Sequence, residues 1–315
     1  MVLRPAVFFI LRVSWVFHQD ASCIGNIFFD FPFFLLKLIL KKTHLMGLFN
    51  RKSRVEKISL VLDRDSSIYD DYEEKADKKW QKDLDKVFKS MKKNGTPDEL
   101  KEFLAHRYPF HCWEHGLEDM EEIILNTKEM SVESPKNHSI PTQIGQCQNL
   151  EVFYLIQGRL QTIPPEFENL KSLKTLSVVV DNEFPEVISR LTNLQELILT
   201  QSNIDKIPKH INKLKKLKKL ELNDLHYGTF PLEVCQLPQL SELGLMRNGI
   251  QTVPPSISNL KALTKLNLTG NPIQSISPKI NQLENLKSLY LRGTNLPKTL
   301  KAQLSEWLPN TEIII

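Results

Sequence analysis

The amino-acid sequence predicts an α/β solenoid, with a curved parallel sheet on its concave side and short helical or irregular segments on its convex side. A small helical region precedes the solenoid. Two observations carry this prediction. Leucines recur at a nearly constant period from residue 127 onward, and a charged segment with helically spaced apolar residues comes before them. Because a single repeat cannot bury its own leucines, neighbouring copies must stack into one continuous core.

Each repeat opens with a short strand. The unit Leu240–Leu260 shows the pattern most clearly and reads L-x-x-L-x-L-x-x-N-x-I-x-x-V-P-x-x-I-x-x-L. The first leucines of successive repeats are Leu150, Leu173, Leu194, Leu217, Leu240, Leu263 and Leu286, at steps of 23 residues except for one step of 21. Alternate side chains of a strand point to opposite faces. The alternating leucines therefore predict a strand whose apolar residues face inward.

The second half of each repeat is predicted to return along the convex side. A proline slot stands nine residues before each first leucine, filled by Pro141, Pro164, Pro185, Pro208, Pro231 and Pro254, and by Ser277 in the last copy. Apolar residues follow three and six positions after the slot. Cys147 occupies one of these leucine positions. We therefore expect Cys147 to be a small buried hydrophobe rather than a nucleophile.

On these residues the chain resembles the leucine-rich repeat family. The x-I-P-x-x-I-x-x-L half is similar to the 23-residue class found in intracellular and bacterial members. The resemblance covers about residues 127–296, including a degenerate first copy around Met130 and Val132. It implies a leucine-rich repeat solenoid whose concave sheet binds a partner protein. Many families share this repeat, so the resemblance implies the architecture more strongly than the biological role.

The resemblance also implies an asparagine at the turn after each strand, where its amide bonds exposed backbone groups. Only Asn248 and Asn271 keep this residue. Glycine or a short polar residue can still serve the turn in most other copies, but Leu225 cannot supply the bonds. We therefore expect the stack to be least regular near Leu225.

Residues 1–45 form an apolar leader that differs from the rest of the chain. Arg12 interrupts its first apolar run, and Asp30 and Lys37 interrupt the second. On a membrane-insertion scale the favourable free energy of the apolar residues in the second run and the unfavourable free energy of its two charges nearly cancel. Three interpretations stay open: a weak anchor or signal, a buried helix, or an extension upstream of Met46 that the native protein lacks.

Residues 46–126 are predicted to form a small, mainly helical region, a candidate N-terminal cap for the repeats. Alternating apolar residues over 54–64 indicate a short strand. One helix face is predicted from apolar residues at helical spacing, namely Trp80, Leu84, Val87, Phe88 and Met91. The pair Asn94-Gly95 is expected to end that helix.

Two further helices are predicted in this region. Thr96 is the expected N-cap of the second, with Pro97 in its first turn, and the third is predicted over residues 117–125. Between them lies a cluster of residue types that bind metals: His106, His111, Cys112, Glu114 and His115. Its spacing matches no zinc pattern and aromatic residues are interleaved with it, which favours an aromatic-packed helix connection. A metal-dependent enzyme module that uses the repeats as its substrate arm is the alternative hypothesis.

Residues 297–315 are predicted to form a C-terminal cap. Helical spacing relates Leu300, Leu304, Trp307 and Leu308, and a short apolar stretch at residues 312–315 follows. This arrangement resembles the last helix and terminal strand of bacterial leucine-rich repeat proteins. We expect no catalytic domain after it.

Composition and motifs argue against catalysis and against nucleic-acid binding. The formal charge of +4 on a 36.5 kDa chain is slight, and the basic run over residues 213–219 is expected to be a solvated face. The four cysteines lack C-x-x-C spacing, which predicts reduced thiols and a cytoplasmic location. No nucleotide-binding, nucleophile-elbow or zinc-protease motif is present. We therefore predict no enzyme activity, cofactor, metal or nucleic-acid partner.

The resemblance places the candidate binding residues on the concave face of the sheet. These residues are Tyr154, Ile156, Val179, Ile198, Thr200, Met246, Tyr290 and Arg292. The early strands are apolar for a solvated face, which indicates either an interaction site or a surface covered by a flanking segment. The leading hypothesis is a protein-binding scaffold or adaptor. The alternative is a membrane-anchored or exported recognition protein tethered by residues 1–45, and no membrane contact is expected unless those residues are native.

Overall fold

The computed structural model describes residues 74–132, 139–156, 158–181, 183–202, 204–294 and 296–315. The predictions for the leader at residues 1–45 and for a strand over residues 54–64 fall outside these residues. Only the backbone is described over residues 74–81, so the side chain of Trp80 falls outside as well. The chain divides into two compact units, Met1–Val87 and Phe88–Ile315, and the main sheet lies wholly in the second.

The first described element is helix α1, Glu74–Asn94. Four side chains of its predicted apolar face are buried: Leu84, Val87, Phe88 and Met91. The helix ends before Gly95, whose φ of +78° is a left-handed conformation that glycine adopts without a steric penalty. The apolar spacing and the Asn-Gly pair thus predicted this helix and its end correctly.

Three shorter helices follow: α2 (Asp98–Arg107), α3 (Pro109–His115) and α4 (Glu121–Asn126). The segment predicted as an aromatic connection is largely helix α3, which starts at a proline and ends at Gly116. The predicted third helix begins as a 3₁₀ turn, Glu118–Met120, before it continues as α4. Helix α3 was thus predicted only as a connection between helices, whereas the predicted third helix is present with a 3₁₀ first turn.

The prediction that Thr96 caps helix α2 is wrong. The residue before α2 is Pro97, and no side chain caps the helix there. Instead the backbone N–H of Thr96 donates to Asp119 Oδ2 at 2.8 Å, and its hydroxyl donates to Asp119 Oδ1 at 3.0 Å. A carboxylate from the distant 3₁₀ turn therefore competes successfully for the hydroxyl that would otherwise cap the helix.

The centre of the second unit is a parallel sheet of nine strands in the described residues. The strands are β1 (Glu129–Val132), β2 (Val152–Leu155), β3 (Thr175–Ser177), β4 (Glu196–Ile198), β5 (Lys219–Glu221), β6 (Glu242–Gly244), β8 (Lys265–Asn267), β10 (Ser288–Tyr290) and β11 (Glu312–Ile314), in that spatial order. A second, two-stranded sheet joins β7 (Thr252–Val253) to β9 (Ser275–Ile276). The leucine period, the degenerate first copy and the terminal strand predicted all nine.

Strand pairing follows the repeat. Leu220 lies opposite Leu243, and Leu243 lies opposite Leu266, each pair one 23-residue repeat apart. The seven first-position leucines are 0–3 % exposed. Together with the inward strand residues they form a continuous core, as the stacking argument requires.

In the described residues the convex side carries seven 3₁₀ turns, one before each first-position leucine. They are Thr142–Gln146, Pro165–Asn169, Glu186–Arg190, Lys209–Lys213, Leu232–Gln236, Pro255–Asn259 and Pro278–Gln282. Each starts directly after its proline or serine slot, because proline fixes the backbone angle needed at that point. Cys147 ends the first of these turns in a fully buried position, and burial raises its thiol pKa to about 12. It is an inert core residue, as predicted.

The turn after each later strand uses a left-handed residue at a fixed place. Five residues at steps of 23 have φ between 50° and 73°: Gln201, Asp224, Arg247, Gly270 and Gly293. The slot one residue later carries the asparagine. Where asparagine is absent, Ser202 accepts a hydrogen bond from the N–H of Val180 at 2.9 Å, and Thr294 donates to the carbonyl of Leu291 at 2.6 Å. Short polar residues thus replace part of the asparagine's function.

The irregularity expected at Leu225 is limited to its turn. Asp224 has the left-handed backbone of the other turns, and His226 adds a second left-handed residue with φ of 58°, yet β5 and β6 pair in register. The N–H of Leu225 donates to Asn248 Oδ1 at 2.8 Å. An asparagine of the next repeat therefore satisfies the group beside Leu225, and the leucine side chain is buried instead.

The chain ends in helix α5, Lys298–Trp307, and strand β11. Leu300, Leu304 and Leu308 are buried, and β11 pairs in parallel with β10. The predicted last helix and terminal strand are both present. Within the described part of the chain, none of the helices has the length and apolar character that crossing a membrane requires.

Candidate functional site

The face of the sheet that points away from the core carries three rows of side chains. The first row is Glu129, Val152, Thr175, Glu196, Lys219, Glu242, Lys265, Ser288 and Glu312, and the middle row is Ser131, Tyr154, Ser177, Ile198, Glu221, Gly244, Asn267, Tyr290 and Ile314. The alternation continues one step past the strands into a third row: Ile156, Val179, Thr200, Asn223, Met246, Thr269 and Arg292. All eight predicted binding residues belong to the middle or third row.

Strands β2 to β4 present an apolar patch, which we define as Val152, Tyr154, Ile156, Val179 and Ile198. Each of these side chains is half-buried, so the described part of the chain does not cover the patch completely. Burial, followed by the charges of Glu196 and Glu129, raises the pKa of Tyr154, so its phenol stays protonated. The predicted residues of the early strands therefore lie together.

The other predicted residues lie elsewhere on the face. Thr200 adjoins the patch in the third row, whereas Met246 lies two strands beyond Thr200. Tyr290 lies on β10 and Arg292 two residues after it, six strand positions from Tyr154, or about 29 Å at the usual strand spacing. The eight residues thus form a patch and a separate end rather than one cluster.

The middle of the face holds an acidic centre that the sequence predictions missed. We define it as Glu196, Glu221 and Glu242. Lys219 stands among them, and its Nζ lies 2.6 Å from Glu196 Oε1. Burial disfavours the charge of Lys219, but this hydrogen bond and the three carboxylates outweigh it and raise the pKa of Lys219. Three carboxylates against one ammonium leave the centre negative.

Gly244 gives the acidic centre its shape. A Cβ at this position would lie 1.9 Å from Glu221 Oε2, so the carboxylate lies flat across the space that a side chain would fill. Asn223 holds it there by donating from Nδ2 to Glu221 Oε2 at 2.7 Å. The amide oxygen of Asn223 in turn accepts from the N–H of Met246 at 2.8 Å. Glu221 is therefore positioned before any partner binds.

The far end of the face is basic and aromatic. The Nζ of Lys265 lies 5.5 Å from the centre of the Tyr290 ring, within the range of a cation–π contact. Arg292 follows in the third row and is exposed. Along the sheet the face thus changes from apolar to acidic and then to basic.

In the polar cluster of the helical region His111 and Cys112 are buried, whereas Glu114 is exposed. The ring of His111 is 6 % exposed, stacks on Phe88 at 5.4 Å between centroids and meets Tyr108 edge-on at 5.6 Å. Cys112 is buried as well. Among the described residues, no group of three His, Cys, Asp or Glu side chains is placed to hold a metal ion. The geometry favours the aromatic-packed interpretation for these residues.

His106 should titrate below the usual histidine value of about 6.5. Burial lowers the pKa of its imidazole, while the charge and carbonyl of Glu129 oppose the shift; its Nδ1 lies 3.0 Å from that carbonyl. Above pH 6.5 the imidazole ring is neutral in both the folded and the unfolded protein. As the pH falls below 6.5, the unfolded state takes up the proton first, so stability is lost. An NMR titration of His106, with urea denaturation at pH 7 and pH 5, measures both effects. In the control His106→Gln the loss of stability should be smaller, and a His106 pKa at or above 6.5 contradicts the expectation.

The sequence of the repeats matches known families. Residues 123–224 match a leucine-rich repeat region, and residues 238–296 match a second family of leucine-rich repeats. Together these matches cover about half of the chain. The chain belongs to the leucine-rich repeat family.

Solved structures of other leucine-rich repeat proteins resemble it. The ectodomain of the receptor kinase GASSHO1/SCHENGEN3 from Arabidopsis thaliana, in complex with CASPARIAN STRIP INTEGRITY FACTOR 2, is 28% identical; the match covers 56% of this chain and 22% of that one, with a TM-score of 0.45. A leucine-rich repeat protein of Leptospira interrogans is 27% identical over 62% of this chain and 68% of that one, with a TM-score of 0.39. This leucine-rich repeat protein therefore spans less than a quarter of the Arabidopsis receptor chain. No curated protein matches it in sequence.

Proposed function

We propose that this leucine-rich repeat protein is a non-catalytic scaffold or adaptor that binds another protein through the concave face of its sheet. The observation that supports the proposal most directly is the apolar patch. Five side chains with apolar surface lie there on three neighbouring strands, around Ser177, and keep part of their surface exposed. A contiguous apolar surface on a folded protein commonly marks an interaction site, because covering it removes apolar area from water.

The proposal includes a division of the chain by role. Residues 127–296 form the binding array, and residues 297–315 close its C-terminal end. Within residues 46–126, helices α2 to α4 close the other end, since Phe110 of α3 stacks on the core residue Phe153 at 6.3 Å. Caps of this kind cover leucines that an open end would expose.

A cytoplasmic location is part of the proposal. Cys112, Cys147 and Cys235 are free and buried, as thiols commonly are in reducing compartments. The membrane-anchored alternative depends on residues 1–45, which lie outside the described residues.

Affinity capture with matched variants tests the binding face. Changing Tyr154, Ile156 and Ile198 together to aspartate places three charges on the apolar patch and should reduce recovery of the partner about tenfold or more. The control is Leu232→Asp, because Leu232 is 54 % exposed on a convex 3₁₀ turn. Quantitative mass spectrometry of the captured proteins gives the result. If the triple variant and the wild type recover the same proteins in equal amounts, the proposed surface is wrong.

A further inference from the structure

We propose that the partner binds through an extended segment that carries an apolar side chain for the apolar patch and a lysine or arginine for the acidic centre. The two side chains stand two or four residues apart. This inference deepens the proposed function and rests on it, because it specifies the chemistry of the segment that the concave face receives.

The spacing follows from the sheet register. Ile198 of the apolar patch lies directly opposite Glu221 of the acidic centre, and Glu221 lies opposite Gly244. Neighbouring strands are about 4.8 Å apart, so Glu221 and Glu242 lie about 5 and 10 Å from Ile198 at the edge of the patch, and about 10 and 14 Å from its middle strand. In an extended segment that crosses the strands, side chains on one side recur every ~6.6 Å. Positions two and four residues apart therefore match the patch and the carboxylates.

The charge of the partner follows from the state of the carboxylates. Glu196 is neutralised by Lys219, at 2.6 Å. For Glu221 and Glu242, no cation lies within ion-pair distance in the parts of the chain that the structure describes. Glu221 is half-buried and lies opposite Ile198 of the apolar patch. Glu242 is half-buried between Lys219 and Lys265 of the first row. Attraction between opposite charges is stronger at such half-buried positions than in bulk water. A cationic side chain complements these two groups, whereas a carboxylate or phosphate would be repelled.

Preorganisation adds to the selectivity. Glu221 is already fixed in the space left by Gly244 through its hydrogen bond from Asn223, so little conformational freedom remains to be lost on binding. Lys265 lies directly opposite Glu242 on the next strand, but its Nζ is placed 5.5 Å from the centre of the Tyr290 ring. Arg292 lies one strand further along the sheet. An acidic residue of the partner would therefore bind at the basic end of the face, whereas the acidic centre selects a lysine or arginine.

A library of random linear peptides displayed on phage tests the inference on the purified full-length chain. Selection should enrich peptides with lysine or arginine two or four positions from a large apolar residue. The double variant Glu221→Gln and Glu242→Gln removes both charges and keeps the side-chain volumes. It should bind the selected peptides about tenfold more weakly and should show no preference for basic residues. The matched control is Glu284→Gln with Glu306→Gln, which removes two exposed carboxylates outside the face and should leave affinity unchanged.

The outcomes separate the inference from the proposed function. Selected peptides without a basic preference overturn the inference, as does equal affinity for wild type and the double glutamine variant, or a library that yields no binder. If peptide binding is lost with the aspartate variant of the apolar patch but kept with the glutamine variant, the proposed binding face is supported. The requirement for a lysine or arginine in the partner is then overturned. Binding that is insensitive to both variants removes the proposed face as well.

Discussion

Replacing Asn271 with alanine should destabilise the protein by about 3–5 kcal/mol. The fully buried amide oxygen of Asn271 accepts from the N–H groups of Asn248 and Ile250 at 2.9 and 3.0 Å. Its Nδ2 donates to the carbonyls of Leu245 and Leu268 at 2.7 and 2.8 Å. Alanine leaves three buried backbone groups without a partner, namely the N–H groups of Asn248 and Ile250 and the carbonyl of Leu245, whereas the carbonyl of Leu268 still accepts from the backbone N–H of residue 271 at 3.3 Å. Each unsatisfied group costs about 1–3 kcal/mol, reduced where water can enter. Urea denaturation followed by circular dichroism measures the loss.

Asn285→Ala is the matched control for this prediction. Asn285 is exposed, and its Nδ2 donates to one carbonyl, that of Lys261, at 2.8 Å. Water can replace that bond, so the control should lose less than about 1 kcal/mol. Equal destabilisation by the two substitutions would show that the buried network contributes no more than an exposed hydrogen bond.

The sheet was predictable because the repeat fixes both the position and the pairing of each strand. Leu217 and Leu240 stand one 23-residue repeat apart and predict two neighbouring strands. The structure pairs β5 with β6 so that partner residues are 23 apart. The shortened repeat keeps this order, since its missing residues fall in the turn near Asp181 and the pairing of β3 with β4 is unaffected. Regular spacing in the sequence therefore becomes regular stacking in space.

The helical region was less predictable because tertiary contacts decide its details. Helix α3 is seven residues long, too short for an apolar period to show, and it is stabilised by aromatic packing around Phe110. The hydroxyl of Thr96 bonds Asp119, which is 23 residues away in sequence. Local propensity favours a cap at that threonine, but a distant carboxylate binds it in the folded chain.

The candidate site was predictable in part. Alternation along β2 to β4 placed Tyr154, Ile156 and Ile198 on one face, and the structure brings them together. The acidic centre was missed because its residues become neighbours only across strands. The signal was present: Glu196, Lys219 and Glu242 occupy the same place in successive repeats. Aligning the repeats in columns would have revealed the row, but the fit of Glu221 over Gly244 depends on the side-chain positions.

Replacing Phe153 with alanine should cost about 3–5 kcal/mol and should loosen the N-terminal helices together with the first repeats. The fully buried ring of Phe153 stacks on Phe110 of α3 at 6.3 Å and meets Phe167 edge-on at 5.4 Å. It therefore joins the helices on one side to the convex turn of its own repeat on the other, and aromatic pairs add to the loss of buried area. Hydrogen exchange should show faster exchange in both α3 and β2.

The control for this prediction is Leu289→Ala, at the same position of the last repeat. Leu289 is fully buried in β10, six strand positions away, and its loss should cost about 2–5 kcal/mol. In a repeat array each unit contacts mainly its neighbours. Helices α2 to α4 should therefore keep their protection from hydrogen exchange in this variant. If Phe153→Ala also leaves the protection of α3 unchanged, α3 is not coupled to the repeat core, and helices α2 to α4 do not act as the N-terminal cap. Faster exchange confined to α3 and the first repeats would instead support the cap, because the disturbance would then follow the aromatic contacts.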